Sequence, residues 1–265
     1  MASRADARAL RSAEVGGEVG GEVGGDEGGA RAAVDDLPAG PSLRGAIATA
    51  LHDAYFHSWR LLPANVVWSV TAIILLIANL ATPLALVLLP LLGLPTAGLF
   101  RVSTRIVRGE SVSFWDAADA WRLDVRQTLA VSASLVAASL VLAANVTLGI
   151  TSTSPLGWVL ATLAAWGLVG LWLLAWTLWP ILVDPQRSGR PARDRIRVAA
   201  LLVLAHPFRI GALGVALAIF LAASTVAIVA LVTISVALSA LVASRLVLPA
   251  TDRLEAQLVG PTRLS

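Results

Sequence analysis

Charge is scarce in this chain: 14% of its 265 residues are charged, while 57% are hydrophobic. A soluble domain covers its surface with roughly a quarter of its residues charged, so an ordinary water-soluble globule is excluded. Lysine is missing altogether, and all 20 basic residues are arginine. That removes a phosphate-loop lysine, a Schiff-base lysine and a lysine general base together. Cysteine is absent as well, which excludes disulfides, thiolate metal sites and redox motifs. No apolar core of signal-peptide type follows the first arginines. The long apolar blocks contain no ionisable side chain. A charge at mid-bilayer costs about 2.5–3.5 kcal/mol and usually marks an ion or proton pathway. A transporter driven through a membrane carboxylate is therefore disfavoured.

What is present is uncharged length. Leu61 to Phe100 holds 40 residues without charge, and Ile210 to Ser244 holds 35. A single helix of 40 residues would run about 60 Å, twice the hydrocarbon thickness of about 30 Å. Each block therefore reads as two spans. The expected class is an all-α polytopic transmembrane bundle with spans near 63–80, 84–103, 129–150, 157–183, 210–226 and 229–248. Asn79, Thr82 and Pro83 supply the first turn, and Thr151 to Pro155 the second. The third turn has no Gly or Pro marker and is placed at Ser224-Thr225; one long tilted helix there, giving five spans, is the alternative.

Residues 1–42 form a separate arm in which the tetrapeptide EVGG occurs three times in succession. Gly-rich, acidic sequence with few large apolar side chains does not offset the entropy of ordering, so this arm is expected to be disordered. The arm carries four Arg against eight Asp and Glu, and the rest of the chain sixteen against nine. The region 43–250 is thus a basic membrane domain, and 251–265 reads as a short cytoplasmic tail. Outside the arm, arginines fall before the first span, between spans two and three, between four and five, and after Ser244. Short cytoplasmic loops hold positive charge, which puts both termini inside.

Three shorter segments read as interfacial. Ser42 to Trp59 repeats Leu43, Ile47, Leu51, Ala54 and Tyr55 at helical spacing, ending at Trp59-Arg60. In 111–127, Ser113 with Asp116 makes a capping-box-like start. There Phe114, Ala118, Trp121 and Val125 form the apolar stripe, with Asp116, Asp119, Arg122 and Arg126 off it. A third helix, Asp194 to His206, stops at Pro207. Within the third span Ala130, Ser134 and Ala138 recur every four residues, a small-residue face suited to close helix packing.

Chemistry-bearing constellations are few. Asn65, Ser69, Asn79 and Asn145 could line a path for a neutral solute, although interhelical hydrogen bonding is their commoner use. Trp172, Trp176 and Trp179 share one helical face that could stack on a sugar, while Trp158 and Trp179 sit where an aromatic belt is expected. His52 and His57 are spaced off a common face and lack further ligands, so no metal is expected. His206 precedes Pro207 at a helix end, a structural position. No catalytic residue, cofactor site or nucleic-acid surface is legible, and no enzyme is expected.

Several stretches in order carry a resemblance: Asn65-Val-Val-Trp68; Leu94-Pro-Thr-Ala-Gly98 leading to Arg101 and then Arg108-Gly109-Glu110; Phe114-Trp115-Asp116 before Trp121-Arg122; Trp179-Pro180-Ile-Leu-Val183; and Ala205-His206-Pro207-Phe208-Arg209. In this order and spacing, over residues 45–250, the chain resembles the YesL family of bacterial integral membrane proteins, a family of unknown function. The resemblance implies a compact five- or six-helix domain in the cell membrane. It also implies a link to carbohydrate uptake, because members are often encoded beside sugar ABC-transporter components. It carries over no catalytic residue. Permease subunits and the lipid bilayer are the partners it suggests, and the Gly/Glu arm departs from the family's usual short N-terminus. The cytoplasmic contacts would come from the 109–127 helix and the Arg-rich 187–197 loop, whose charge also suits anionic headgroups.

Overall fold

The uncharged blocks fold as long helices. A computed structural model describes residues 41–113, 115–123, 125–152, 154–227 and 234–259, so the predicted acidic arm lies outside the described residues but for its last two positions. Among the described residues there are nine α-helices and no strand: α1 (Leu43–Phe56), α2 (Ser58–Ala81), α3 (Gly93–Val107), α4 (Trp115–Leu123), α5 (Val125–Thr151), α6 (Pro155–Leu182), α7 (Ala192–Ala205), α8 (Pro207–Val226) and α9 (Val236–Val259). Short 3-10 runs occupy Pro83–Leu92 and Pro185–Arg187.

Five segments are long and apolar enough to cross a membrane: Ser58–Ala81, Pro83–Val107, Val125–Thr151, Pro155–Leu182 and Pro207–Val226. The shortest, with 20 residues, extends about 30 Å at 1.5 Å per residue, the thickness of the hydrocarbon layer. The chain is a polytopic helical membrane protein. The α5–α6 hairpin keeps only 11% of its apolar windows buried inside the protein, so most of its surface is left to lipid.

The turns follow local chemistry. Thr82 is extended, its hydroxyl accepts a 3.4 Å hydrogen bond from the Leu84 N–H, and Pro83 begins the 3-10 run. Proline has no N–H to donate, and with Pro90 also inside, this stretch does not settle into an α-helix until Gly93. Ser154 caps α6, with Pro155 in its first turn. The third turn differs from expectation. α8 continues through Ser224 and Thr225, whose hydroxyls bond back to the Phe220 and Ala222 carbonyls, and ends at Val226.

α9 also departs from expectation. It starts at Val236, inside the predicted 229–248 span, and runs to Val259 through Pro249, so much of the predicted tail is helical. It is the most charged of the long helices, with Arg245, Asp252, Arg253 and Glu255, yet Ala237, Ala240, Leu241, Ala243, Val247 and Leu248 are fully buried. It packs against α1, α2, α3, α6 and α7, and thus forms the axis of the bundle.

The two helices read as interfacial bury chiefly small residues. In α1 Ala46, Ala50 and Ala54 are buried and Leu43 and Ile47 pack partly buried against the core, while Leu51 and Tyr55 are exposed, so the expected stripe is split between the two sides. In α4 the buried side carries Asp116, Ala117 and Ala120; Phe114 and the side chain of Trp121 lie outside the described residues. In lipid, helices pack through small residues that let backbones approach, and large apolar side chains gain nothing by turning inward.

Candidate functional site

The groups that could carry chemistry gather in two places: at the helix ends where charge collects, and at one buried joint inside the bundle. The charged end begins with a sharp stop. Gly109 has φ +71°, a left-handed conformation that costs a side-chain-bearing residue about 1–2 kcal/mol. The Gly109 N–H donates to the Ile106 carbonyl and the Glu110 N–H to the Arg105 carbonyl, 3.1 and 3.0 Å. These two bonds close a Schellman motif at the end of α3. Arg108, held there, donates 2.7 Å bonds to Asp252 on α9 and to Asp184 after α6.

Arg187, 4% exposed, joins the same carboxylates and adds Glu255 at 3.1 Å, and Glu255 also takes Arg190 at 2.7 Å. Three arginines and three carboxylates therefore form a closed latch between the ends of α3, α6 and α9. Burial alone would raise the Asp252 pKa, but the hydrogen bonds from Arg108 and Arg187 outweigh it and hold this carboxyl below its usual range. Burial likewise acts to lower Arg108 and Arg187, and their carboxylate partners override it, keeping both firmly protonated. Beside the latch, Arg195 donates to the carbonyls of Leu182, Ser188 and Arg190. It thereby supplies donors to the open C-terminal end of α6. Arg101 does the same for Val183, at 3.0 Å.

Asp116 closes the expected capping box: its carboxylate accepts a 2.6 Å bond from the Ser113 N–H, and it is ion-paired with Arg105. That pairing draws Asp116 onto the buried side of α4. Arg245 of α9 holds Asp53 of α1 through its Nε at 2.8 Å.

The inner joint is Asn65. Its side chain is fully buried, and its Oδ1 accepts a 2.8 Å hydrogen bond from the Ala237 N–H. Ala237 is in the first turn of α9, where backbone N–H groups have no partner within the helix. An asparagine of α2 thus caps α9 from outside. Nearby, the Trp68 indole donates to Thr96 Oγ1 at 2.9 Å, tying α2 to α3.

The remaining candidates are structural joints or surface residues. Trp179 is buried and stacks on Phe100 (ring centroids 6.4 Å apart, 17° between planes), with Pro180 buried beside it. It therefore does not belong to an aromatic belt. Trp176 also packs on Phe100, and Trp172 donates to the Gly214 carbonyl at 3.2 Å. A Cβ on Gly214 would come within 2.2 Å of the Leu173 Cδ2, so the end of that side chain would have to move to admit one. The aromatic face suggested for a sugar is occupied by the protein itself. Trp158 and Trp166 are exposed. His206 links α7 to α8, with Pro207 in the first turn of α8. The Arg122 side chain lies outside the described residues.

The three asparagines do not share a path. Asn65 is engaged by α9, Asn79 Nδ2 bonds the Leu75 carbonyl of its own helix at 2.8 Å, and Asn145 is exposed on α5. Asp184, Asp252 and Glu255 were not singled out by sequence reasoning, and Arg187 was read as part of an Arg-rich loop for outside contacts, whereas it is buried and paired within the chain. Arg108 and Asp252 lie 144 positions apart, and no motif spacing announces such a pair. Comparison with protein families, with curated proteins and with solved structures returns no match for this chain.

Proposed function

We propose that this protein is an accessory or regulatory component of ABC-type carbohydrate uptake in a bacterial cell membrane, acting through helix contacts with permease subunits and catalysing no reaction. The family resemblance supplies the biological setting. The observation that carries the mechanistic part is the use of the motif residues. Asn65, Trp68, Arg101 and Arg108 are each bonded to a different element of the same chain. Residues employed in this way build a scaffold and leave no group poised for a substrate. The placement of Asn65, Asn79 and Asn145 supports this reading over a channel for a neutral solute, because such a channel needs converging polar side chains.

The test is isolation of the tagged chain in a mild detergent from cells growing on a range of sugars, with identification of co-isolated proteins. Sugar-permease subunits should accompany it, and deletion should reduce uptake of the corresponding sugar. A chain that isolates alone and leaves uptake of every sugar unchanged overturns the proposal.

A further inference from the structure

Between α5, α6 and α7 an open groove of about 730 Å³ is left unfilled, within the usual range of about 300–1,000 Å³ for ligand cavities. Its walls are apolar, from Val131 and Leu135 of α5, Leu171, Leu174 and Leu178 of α6, and Ile196 of α7. Ala130 and Ser134 form its floor. The small residues expected to pack against a helix instead deepen an open channel. Its mouth is polar, made by Arg126 and Gln127 in the first turn of α5.

We propose that this groove holds one anionic phospholipid of the surrounding bilayer, with an acyl chain along the α5–α6 walls and the phosphate at Arg126 and Gln127. Charge complementarity selects the occupant. Among the arginines without a carboxylate partner in the described residues, Arg126 is the one that lines the groove, and it is exposed at the mouth. Gln127 lines the groove beside Arg126. Arg193 follows the lining residue Ala192 by one position and is exposed. Helical periodicity puts Asp194 on the opposite side of α7 from Ala192 and Ile196. The long axis also fits. Arg126 stands at the start of α5, and Leu135 lies nine residues on, about 13 Å deeper. A charged head at the interface and a chain toward the bilayer centre match that polarity. The inference rests on the membrane fold and is independent of any role in sugar uptake.

The full-length chain, purified in mild detergent, is offered phosphatidylglycerol or phosphatidylcholine and weighed intact by native mass spectrometry. One phosphatidylglycerol should be retained with a preference of about fivefold, the scale of one arginine at an anionic surface. In the double variant R126Q/Q127L the preference should fall to near parity. A130L should expel lipid of both kinds by filling the floor. R44Q, which removes an exposed arginine of α1, should change nothing. Melting temperatures report folding, and if A130L does not fold, the mouth variant alone decides. Equal retention of the two lipids by the unaltered chain overturns the proposal. So does an equal effect of R44Q, or a dimer that the mouth or floor variants abolish, since a second copy would then be the occupant.

Discussion

Asp184 shows what a single side chain can govern here. Its carboxylate is wholly buried and bonded to Arg108, to Arg187 and to the Gln186 N–H. Removing one partner of a buried pair is costly because the other is left uncompensated, typically by about 3–5 kcal/mol. Asp184→Asn should therefore lower the unfolding transition in mild detergent, followed by circular dichroism, by an amount of that order. Asp252→Asn should cost less, because its side chain is 42% exposed and solvent screens a partly exposed pair. Equal effects of the two would refute the ranking. The pH dependence follows from Asp252, whose folded pKa is lowered below its unfolded value by Arg108 and Arg187 despite burial. A lowered group contributes stability that is present above the unfolded pKa of about 4 and is lost as pH falls through the folded one. Acidification below about pH 4 should loosen the latch, and Asp252→Asn should shrink that acid-dependent loss.

At the scale of the element, α9 is the unusual piece. Its apolar start sits inside the bundle while its charged half belongs to the latch, so it is built from two unlike pieces. Asn65 supplies an acceptor to the Ala237 N–H in the first turn of α9. Asn65→Ala should cost about 1–2 kcal/mol, the range of a lost helix cap. The loss should be local: amide hydrogen exchange should speed up at 236–240 and stay unchanged at 250–257. Uniform acceleration along α9 would mean that Asn65 supports general packing and not the cap. Helices α1 and α5 teach a related lesson. Leu51 and Tyr55 of α1 face outward while Leu43 and Ile47 pack inward, and Ala130 and Ser134 of α5 line an open groove, because apolarity alone does not tell a lipid-facing side from a protein-facing one.

At the scale of the molecule, register sets the parity of crossing. Asp53 meets Arg245 and Asn65 meets Ala237, so α9 runs antiparallel to α1 and α2. Its charged half consequently ends where α2 begins and where α3 finishes. Among the described residues five helices are apolar enough to span a membrane where six spans were expected, and α9 is not one of them; the 210–244 block is nonetheless not one long tilted helix, since α8 ends at Val226 and α9 begins at Val236. Positive charge is retained in the cytoplasm. Reporter fusions at Gly189 and after Val259 should therefore read inside, and fusions at Ser154 and Val226 outside. A reversed pattern would invert the orientation, and opposite sides for Gly189 and Val259 would undo the parity.

The sequence by itself determined the all-α membrane class, the limits of the first five spans to within a few residues and the Ser113–Asp116 cap. Each depends on hydropathy or on groups within one helical turn, which are local properties of the chain. Only the tertiary structure decided which arginines face inward, that Asn65 serves α9, and that Asp184, Asp252 and Glu255 close one latch. Those outcomes depend on distances between helix ends far apart in sequence. In a bilayer the outward and inward faces are both apolar, so the periodic pattern that would orient a helix in water carries little of that information.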